Sequence, residues 1–476
     1  MVFTTPIFLF LFLPLLLGLH ALAPRPARNA LLLTASLLFY AWGEGLYLGV
    51  MLFSIALNHR FGLWLGARGP GFDRAVLTFA LVVNLGLLVL FKYAGFVIAN
   101  LRALGLGEGL ELEPIHMPIG ISFFTFHSIS YLVDIHRGKA KAQRGVVAFA
   151  LYIALFPQLV AGPIVRYHEL ADQLGERSLT LAGFAGGVRR FILGMAKKML
   201  IANTVAVTAN AIFALDGTAL RPFDAWLGAL CYTVQIYFDF SGYSDMAIGL
   251  AAMFGFRFPE NFRWPYAARS ITDFWRRWHM TLSNWFRDYL YIPLGGNRRG
   301  PLREHLNLLT VFFLCGLWHG ASWTFIAWGL YHGALLVAER AFGGRLRAAL
   351  DRAWAPLAHA YTLLAVVCGW VIFRATDLSR AGAVLAAMAG RAALQPMPRD
   401  LPDSGVALAL VCAALTAWPL APWLAARRSA LLAAAPRPAL ETGLAALELS
   451  GLLGLLFASC MQVAAGTYNP FIYYRF

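Results

Sequence analysis

Long apolar runs recur along the whole chain, separated by short basic or glycine- and proline-bearing connections. They cover residues 6–23, 30–58, 76–99, 118–133, 145–165, 184–213, 225–256, 306–338, 357–373, 405–424 and 441–465. About 20 apolar residues cross a hydrocarbon core, so these runs predict roughly 11–13 membrane segments. Some are broken, at Pro118-Ile119-Gly120 and at Gly162-Pro163 for example. Such segments can be re-entrant, where protein or a water-filled cavity covers the freed backbone. The pattern predicts an all-α, polytopic membrane protein. The short alternating segments of a transmembrane barrel do not occur, and no internal repeat suggests an inverted-repeat transporter. The first run has no basic residue before it, its first charge being Arg25. It reads as a retained first span with Arg25 and Arg28 on the cytoplasmic side.

Composition strengthens this picture. Of 476 residues, 59% are hydrophobic and 13% charged, against roughly 45–50% and 25% in soluble domains. The formal net charge is +15. In this setting the basic residues serve orientation and contact with anionic headgroups of membrane lipids, and no nucleic-acid partner is expected. The five cysteines all fall in apolar segments without metal-ligand spacing, as buried small apolar residues do. Residues 390–440, rich in Ala, Pro and Arg, read as a connection plus a lipid-facing helix.

Candidate chemistry begins with His319, in Cys315-Gly316-Leu317-Trp318-His319-Gly320. No Asp, Glu, Lys or Arg occurs between His305 and Glu339. An imidazole at such depth is a functional-site hypothesis, the alternative being a structural histidine satisfied by a neighbouring helix. As a single helix that run would be about 50 Å long, too long for one crossing, so a turn is expected near Gly320-Ala321-Ser322. His332 lies 13 residues on. Even in a continuous helix it would sit about 20 Å away on another face, which excludes a metal pair from neighbouring turns. His319 suits general-base chemistry, taking a proton from a hydroxyl; no metal site is expected.

Phe274 to Leu290 places aromatic residues at helical spacing, with Arg276, Arg277, Arg287 and Asp288 elsewhere and Thr272 as a cap. This predicts one amphipathic helix, either a membrane-surface anchor or the cytoplasmic mouth of a site. In the second reading Arg276 and Arg277 meet an anionic ligand such as a nucleotide-bearing acyl donor. His279 belongs to this helix. Asp239 and Asp245 are the only charges between Asp224 and Arg257. They are paired catalytic carboxylates, or they orient a histidine or arginine, with Gly242 a point where the helix can break. The stretch from Phe156 to Tyr167 reads as a cavity-lining turn with Arg166 at its polar end. P-loop, GxGxxG, GxSxG and CxxC motifs are absent, which weakens nucleotide-driven and hydrolytic classes.

Several stretches together resemble the membrane-bound O-acyltransferase (MBOAT) family, within it the alginate O-acetylase branch. They are Phe8 to Pro14, Pro118 to Phe124, Phe156 to Arg166, Asp239 to Asp245, Phe274 to Tyr291, Leu294 to Arg298, Gly316 to Gly320 and the ending Phe471 to Phe476. Two positions depart from that branch: His127, where it carries Gln or Glu, and His136, where it carries an aromatic residue. The resemblance implies one integral-membrane acyltransferase domain over 1–476, its catalytic core about 118–340, with helices around a central tunnel. It implies His319 and His279 as catalytic residues. From their isolation in apolar stretches, Asp239, Asp245, Trp318 and His332 are expected as orienting or tunnel-lining groups. The resemblance implies acetyl-CoA as a cytoplasmic donor and no permanently bound cofactor. The acceptor would be a polysaccharide, or a periplasmic or membrane-tethered acetyltransferase partner, and the site of action a bacterial inner membrane. Other envelope polymers remain open as acceptors: cellulose, peptidoglycan or teichoic acid. From a different class, a polysaccharide-precursor transporter would use the buried His and Asp groups as a proton relay.

Overall fold

The computed structural model describes residues 1–68, 74–106, 109, 115–215, 220–342, 355–391, 403–434 and 438–466. Among these residues every regular element is helical. The resembling C-terminal stretch Phe471 to Phe476 lies outside them.

The first part of the chain gives α1 (Leu13–Leu22), α2 (Arg28–Glu44), α3 (Leu48–Arg68), α4 (Arg74–Leu88) and α5 (Ala94–Ala103). A π-helical turn, Val89–Tyr93, joins the last two. Then follow α6 (Ile121–His136), α7 (Val146–Ala154), α8 (Phe156–Leu159) and α9 (Tyr167–Gly175). The central part holds α10 (Leu181–Ala196), a π turn Lys197–Ala202, α11 (Asn203–Ala214) and α12 (Pro222–Met253). After it come α13 (Ile271–Trp275), α14 (Met280–Phe286), α15 (Pro301–His319) and α16 (Trp323–Ala341). The last five are α17 (Ala355–Arg374), α18 (Leu378–Met388), α19 (Ser404–Thr416), α20 (Leu420–Ala434) and α21 (Pro438–Ala464).

Among the described residues, five stretches are long and apolar enough to cross a membrane: Arg25–Ala67, Arg74–Ala103, Leu181–Ala214, Ala355–Arg374 and Pro438–Ala464. The pair α19 and α20, bent by 60°, makes a sixth if taken as one broken span. The other apolar runs take different forms. The first gives a helical stretch, Phe8–Leu22, shorter than a crossing. The run at 145–165 divides into α7, α8 and a turn. The run at 306–338 breaks after His319 into α15 and α16, where the turn was expected. One apolar run is enclosed by protein: α6 is buried at every position from Ile121 to Ile135.

The core helix is α12, buried along most of its length and packed against α10, α11 and α17. Gly242 does not break it. The glycine instead lets two helices touch. A Cβ on Gly242 would stand 2.7 Å from the Gly194 carbonyl, and one on Gly194 would stand 2.5 Å from the Gly242 carbonyl. Close approach through small residues is the usual way helices associate where lipid removes the hydrophobic drive. A second such crossing joins α15 to α16, where Gly316 faces the Phe325 carbonyl and Gly329 the Phe312 carbonyl.

The Trp-rich stretch is not one surface helix. It is α13, capped by the Ser270 hydroxyl rather than by Thr272, then a break, then α14. The break falls at His279, whose φ is +43°. Its aromatic residues are core: Phe274, Trp275, Trp278, Trp285 and Phe286 are all buried. An aromatic stripe at helical spacing has the same sequence appearance whether it meets lipid or protein. Here α16 and α17 cover the α13 part, and Phe126 of α6 packs on Trp285 and Phe286 of α14.

Candidate active site

His319 is the last residue of α15, held there by the close α15–α16 contact and by the Ser322 cap that starts α16. Only 5% of it is exposed. Its ring packs against Trp318, Trp328 and Phe373, with centroids 4.9, 5.1 and 5.2 Å away. It borders a cavity of about 320 Å³ that Lys92, His116 to Phe123, Val160 and Trp318 also line.

His279 shares an aromatic neighbour with His319. Trp318 touches both histidines, 6.1 Å from the His279 ring. The left-handed backbone of His279 is unusual for a residue with a Cβ and costs about 1–3 kcal/mol. Among the described residues the other non-glycine with positive φ is Trp264, so strain concentrates here. Pairing with a neighbouring loop sustains it: Met280 N donates to the Asn261 carbonyl at 2.9 Å, and Arg263 N to that of Arg277 at 2.9 Å.

Asn261 also settles the tautomer. Its Nδ2 donates to Ser244 Oγ at 2.9 Å, while its Oδ1 accepts from Thr281 Oγ1 at 2.9 Å. That Oδ1 lies 3.0 Å from His279 Nδ1, which must therefore be the protonated nitrogen. Nε2 is left with its lone pair, buried and without a hydrogen-bond partner among the described residues. A nitrogen so prepared can accept a proton or a hydroxyl hydrogen bond.

Asn261 lines a second cavity, of about 600 Å³, with Arg190, Lys197, Asp245, Glu260, Arg263 and several others. His319 thus borders one cavity, largely apolar, and Asn261, the partner of His279, borders the other, charged one.

The remaining expected residues divide. Trp318 stacks on Phe126, which stacks on Trp285 of α14 at 3.7 Å. The aromatic stripe thus supports the wall between the histidines. Asp239 pairs with Lys198 at 2.5 Å, fully enclosed, and does not line either cavity. Asp245 receives Lys197 at 2.6 Å and Arg190 at 2.8 Å. The two carboxylates thus take different lysines, and each anchors α12 to the α10 side. His332 is 0% exposed, ringed by Phe274, Trp275, Trp328 and Trp370. The turn at Gly320 brings it against the same Trp328 indole as His319. Arg276 is exposed and Arg277 pairs with Asp273 at 2.9 Å. Neither lines the charged cavity, where Arg190, Lys197 and Arg263 stand instead. Arg166 caps the turn after Phe156 as expected and pairs with Glu169 and Asp288.

Four residues at or beside the candidate site were not singled out in the sequence. Lys92 carried a usable signal, being the only charge in the run 76–99. Lys197 and Lys198 were visible as charges within 184–213 but gave no hint of their carboxylates. Asn261 had no signal at all, as one amide in a polar connection.

Fold and site define a class: a multi-pass helical membrane protein with two buried imidazoles on one indole, near two cavities. The profile of the membrane-bound O-acyltransferase family matches residues 120–376. A probable alginate O-acetylase of Azotobacter vinelandii is 50% identical over 393 residues, 82% of this chain and 78% of that protein. Its counterpart in Pseudomonas aeruginosa is 42% identical over 525 residues, covering 100% of both. A peptidoglycan O-acetyltransferase of Helicobacter pylori is 38% identical over 426 residues, 82% of this chain and 80% of that one. The chain belongs to the membrane-bound O-acyltransferase family and is an O-acyltransferase.

Proposed function

We propose that this enzyme moves an acetyl group from cytoplasmic acetyl-CoA, across or within a bacterial inner membrane, for O-acetylation of an exopolysaccharide, alginate first among them. The observation that carries this reading is the pair of buried histidines sharing the Trp318 indole near two cavities. The relatives named as alginate O-acetylases, at 50% and 42% identity, favour alginate over other polymers. The peptidoglycan O-acetyltransferase at 38% makes peptidoglycan the second reading.

In this mechanism the charged cavity takes the donor. Arg190, Lys197 and Arg263 face its phosphates, and its thioester reaches the histidines past Asn261. The acceptor hydroxyl occupies the apolar cavity. His319 takes the hydroxyl proton as the oxygen attacks the thioester carbonyl. The tetrahedral intermediate collapses, the C–S bond breaks, and the CoA sulfur leaves as a thiol with a proton returned by an imidazole. His279, with Nδ1–H fixed on Asn261, assists through Nε2. Trp318 Nε1–H is buried without a partner among the described residues and can donate to developing negative charge. The acceptor is the polysaccharide itself or a periplasmic or membrane-tethered acetyltransferase partner that hands the group on.

The test is mass spectrometry of the exported glycan from cells with and without the protein. Ester-linked acetyl groups should be lost on deletion and restored by the wild-type gene. Unchanged ester content on deletion would sink the reading.

A further inference from the structure

The proposed reaction uses His319 and His279 but leaves a third titratable group at the same cavity unexplained. Lys92 sits in the π turn Val89–Tyr93 and lines the cavity beside His319. Its ammonium donates to the Trp318 carbonyl at 2.6 Å and to Ser122 Oγ at 3.2 Å, and lies 5.8 Å from the Trp318 ring centroid. An ammonium has three N–H donors, so one remains, together with the whole charge. Among the described residues no carboxylate pairs with it. Lys197 and Lys198 differ: each has an aspartate within 2.6 Å. A cation withdrawn from water is ordinarily paired, because its desolvation is costly.

A second feature has the same sign. Helix α6 starts on this cavity, with Gly120, Ile121 and Ser122 in its wall, and its N-cap Gly120 supplies no side-chain acceptor. The positive end of the helix dipole therefore adds to the Lys92 field. None of the cavity's lining residues is acidic. Glu44, which touches that lining, is engaged by His116 Nε2 at 3.1 Å. Apart from Lys92, His116, Ser122 and His319 the lining is apolar, with Met117, Pro118, Val160 and Trp318 among it, so a fixed charge acts strongly inside.

We propose that this cavity binds the acetyl acceptor and that Lys92 is its specificity residue, holding the carboxylate of an acidic sugar unit whose hydroxyl lies against His319. The assignment rests on the acetyl-transfer reading above and gives the acceptor a chemistry. At about 320 Å³ the cavity is at the small end for ligand sites, suited to a sugar unit rather than an extended acidic polypeptide. The ammonium's remaining N–H and the carboxylate form a charge-assisted hydrogen bond, stronger than a neutral one. The hydroxyl is thereby placed before the base without further ordering.

The experiment uses the purified full chain in lipid nanodiscs. Radiolabelled mannuronate oligosaccharides, and the same oligosaccharides with carboxyl groups reduced to alcohols, are measured by equilibrium dialysis. Wild type should bind the acidic form on the order of tenfold tighter than the neutral one or better. Lys92→Met should lose that preference and bind the neutral form as wild type does, while Lys92→Arg keeps it. Equal binding of both forms by wild type would overturn the proposal. So would a Lys92→Met variant that weakens both forms alike, since that is a purely structural role for the Trp318 contact. Transfer from radiolabelled acetyl-CoA is followed in parallel. A Lys92-dependent acidic preference with no acetyl gained would refute the acetyl-transfer reading and leave the Lys92 site standing.

Discussion

At the scale of single residues, the site is built from polar groups that an apolar environment makes conspicuous. His319 was legible because it stands in a run without Asp, Glu, Lys or Arg, and Lys92 carries the same signature in its own run. Asn261 was not legible, since its role depends on a left-handed residue eighteen positions away. Replacing His319 by Ala should lower acetyl transfer by about 10²–10⁴-fold, the range for losing a general base. The check is the initial rate with protein level and thermal midpoint unchanged. Asn261→Leu should lower kcat roughly tenfold or more by releasing the His279 tautomer. A rate equal to wild type would remove Asn261 from the account.

Among the elements, glycines and π turns matter more than helix count. Gly194 with Gly242, and Gly316 with Gly329, let helix backbones touch, and the second contact fixes the end of α15 that carries His319. In sequence Gly242 looked like a helix breaker because close approach and chain breaking call for the same residue. Gly242→Leu should lower stability by about 1–3 kcal/mol through overpacking, visible as a lower thermal midpoint in detergent. The π turn Lys197–Ala202 sends two adjacent lysines to two aspartates of one helix, which no residue periodicity announced. Lys198→Met leaves Asp239 without its ammonium and should cost about 3–5 kcal/mol, most of it recovered in Lys198→Met/Asp239→Asn. A double variant as unstable as the single one would show that the pair is not the source of the loss. The Trp-rich stretch misled for a related reason. Its helical spacing is real over α13 and α14, but the break at His279 turns an expected surface helix into a buried support for Trp318.

For the whole molecule, apolar composition made the all-α membrane class plain from the sequence. It could not distinguish helices that cross lipid from helices such as α6 and α12 that are wrapped by others. The arrangement of a charged cavity, a histidine pair and an apolar cavity appears only in three dimensions, because its walls come from residues 92, 116–123, 190–197, 237–264 and 318–319. If the charged cavity serves the donor, Arg263→Ala should raise KM for acetyl-CoA several-fold with kcat nearly unchanged, as expected for loss of uniform binding. A changed kcat at constant KM would move Arg263 out of the donor site.

The central claim is acyl transfer from acetyl-CoA at His319. It is met most directly by incubating the purified chain in nanodiscs with acetyl-labelled acetyl-CoA and a hydroxyl-bearing acidic oligosaccharide, and counting alkali-labile label on the sugar. Wild type should transfer label and His319→Ala, folded to the same thermal midpoint, should not. Equal transfer by the two proteins would contradict the account.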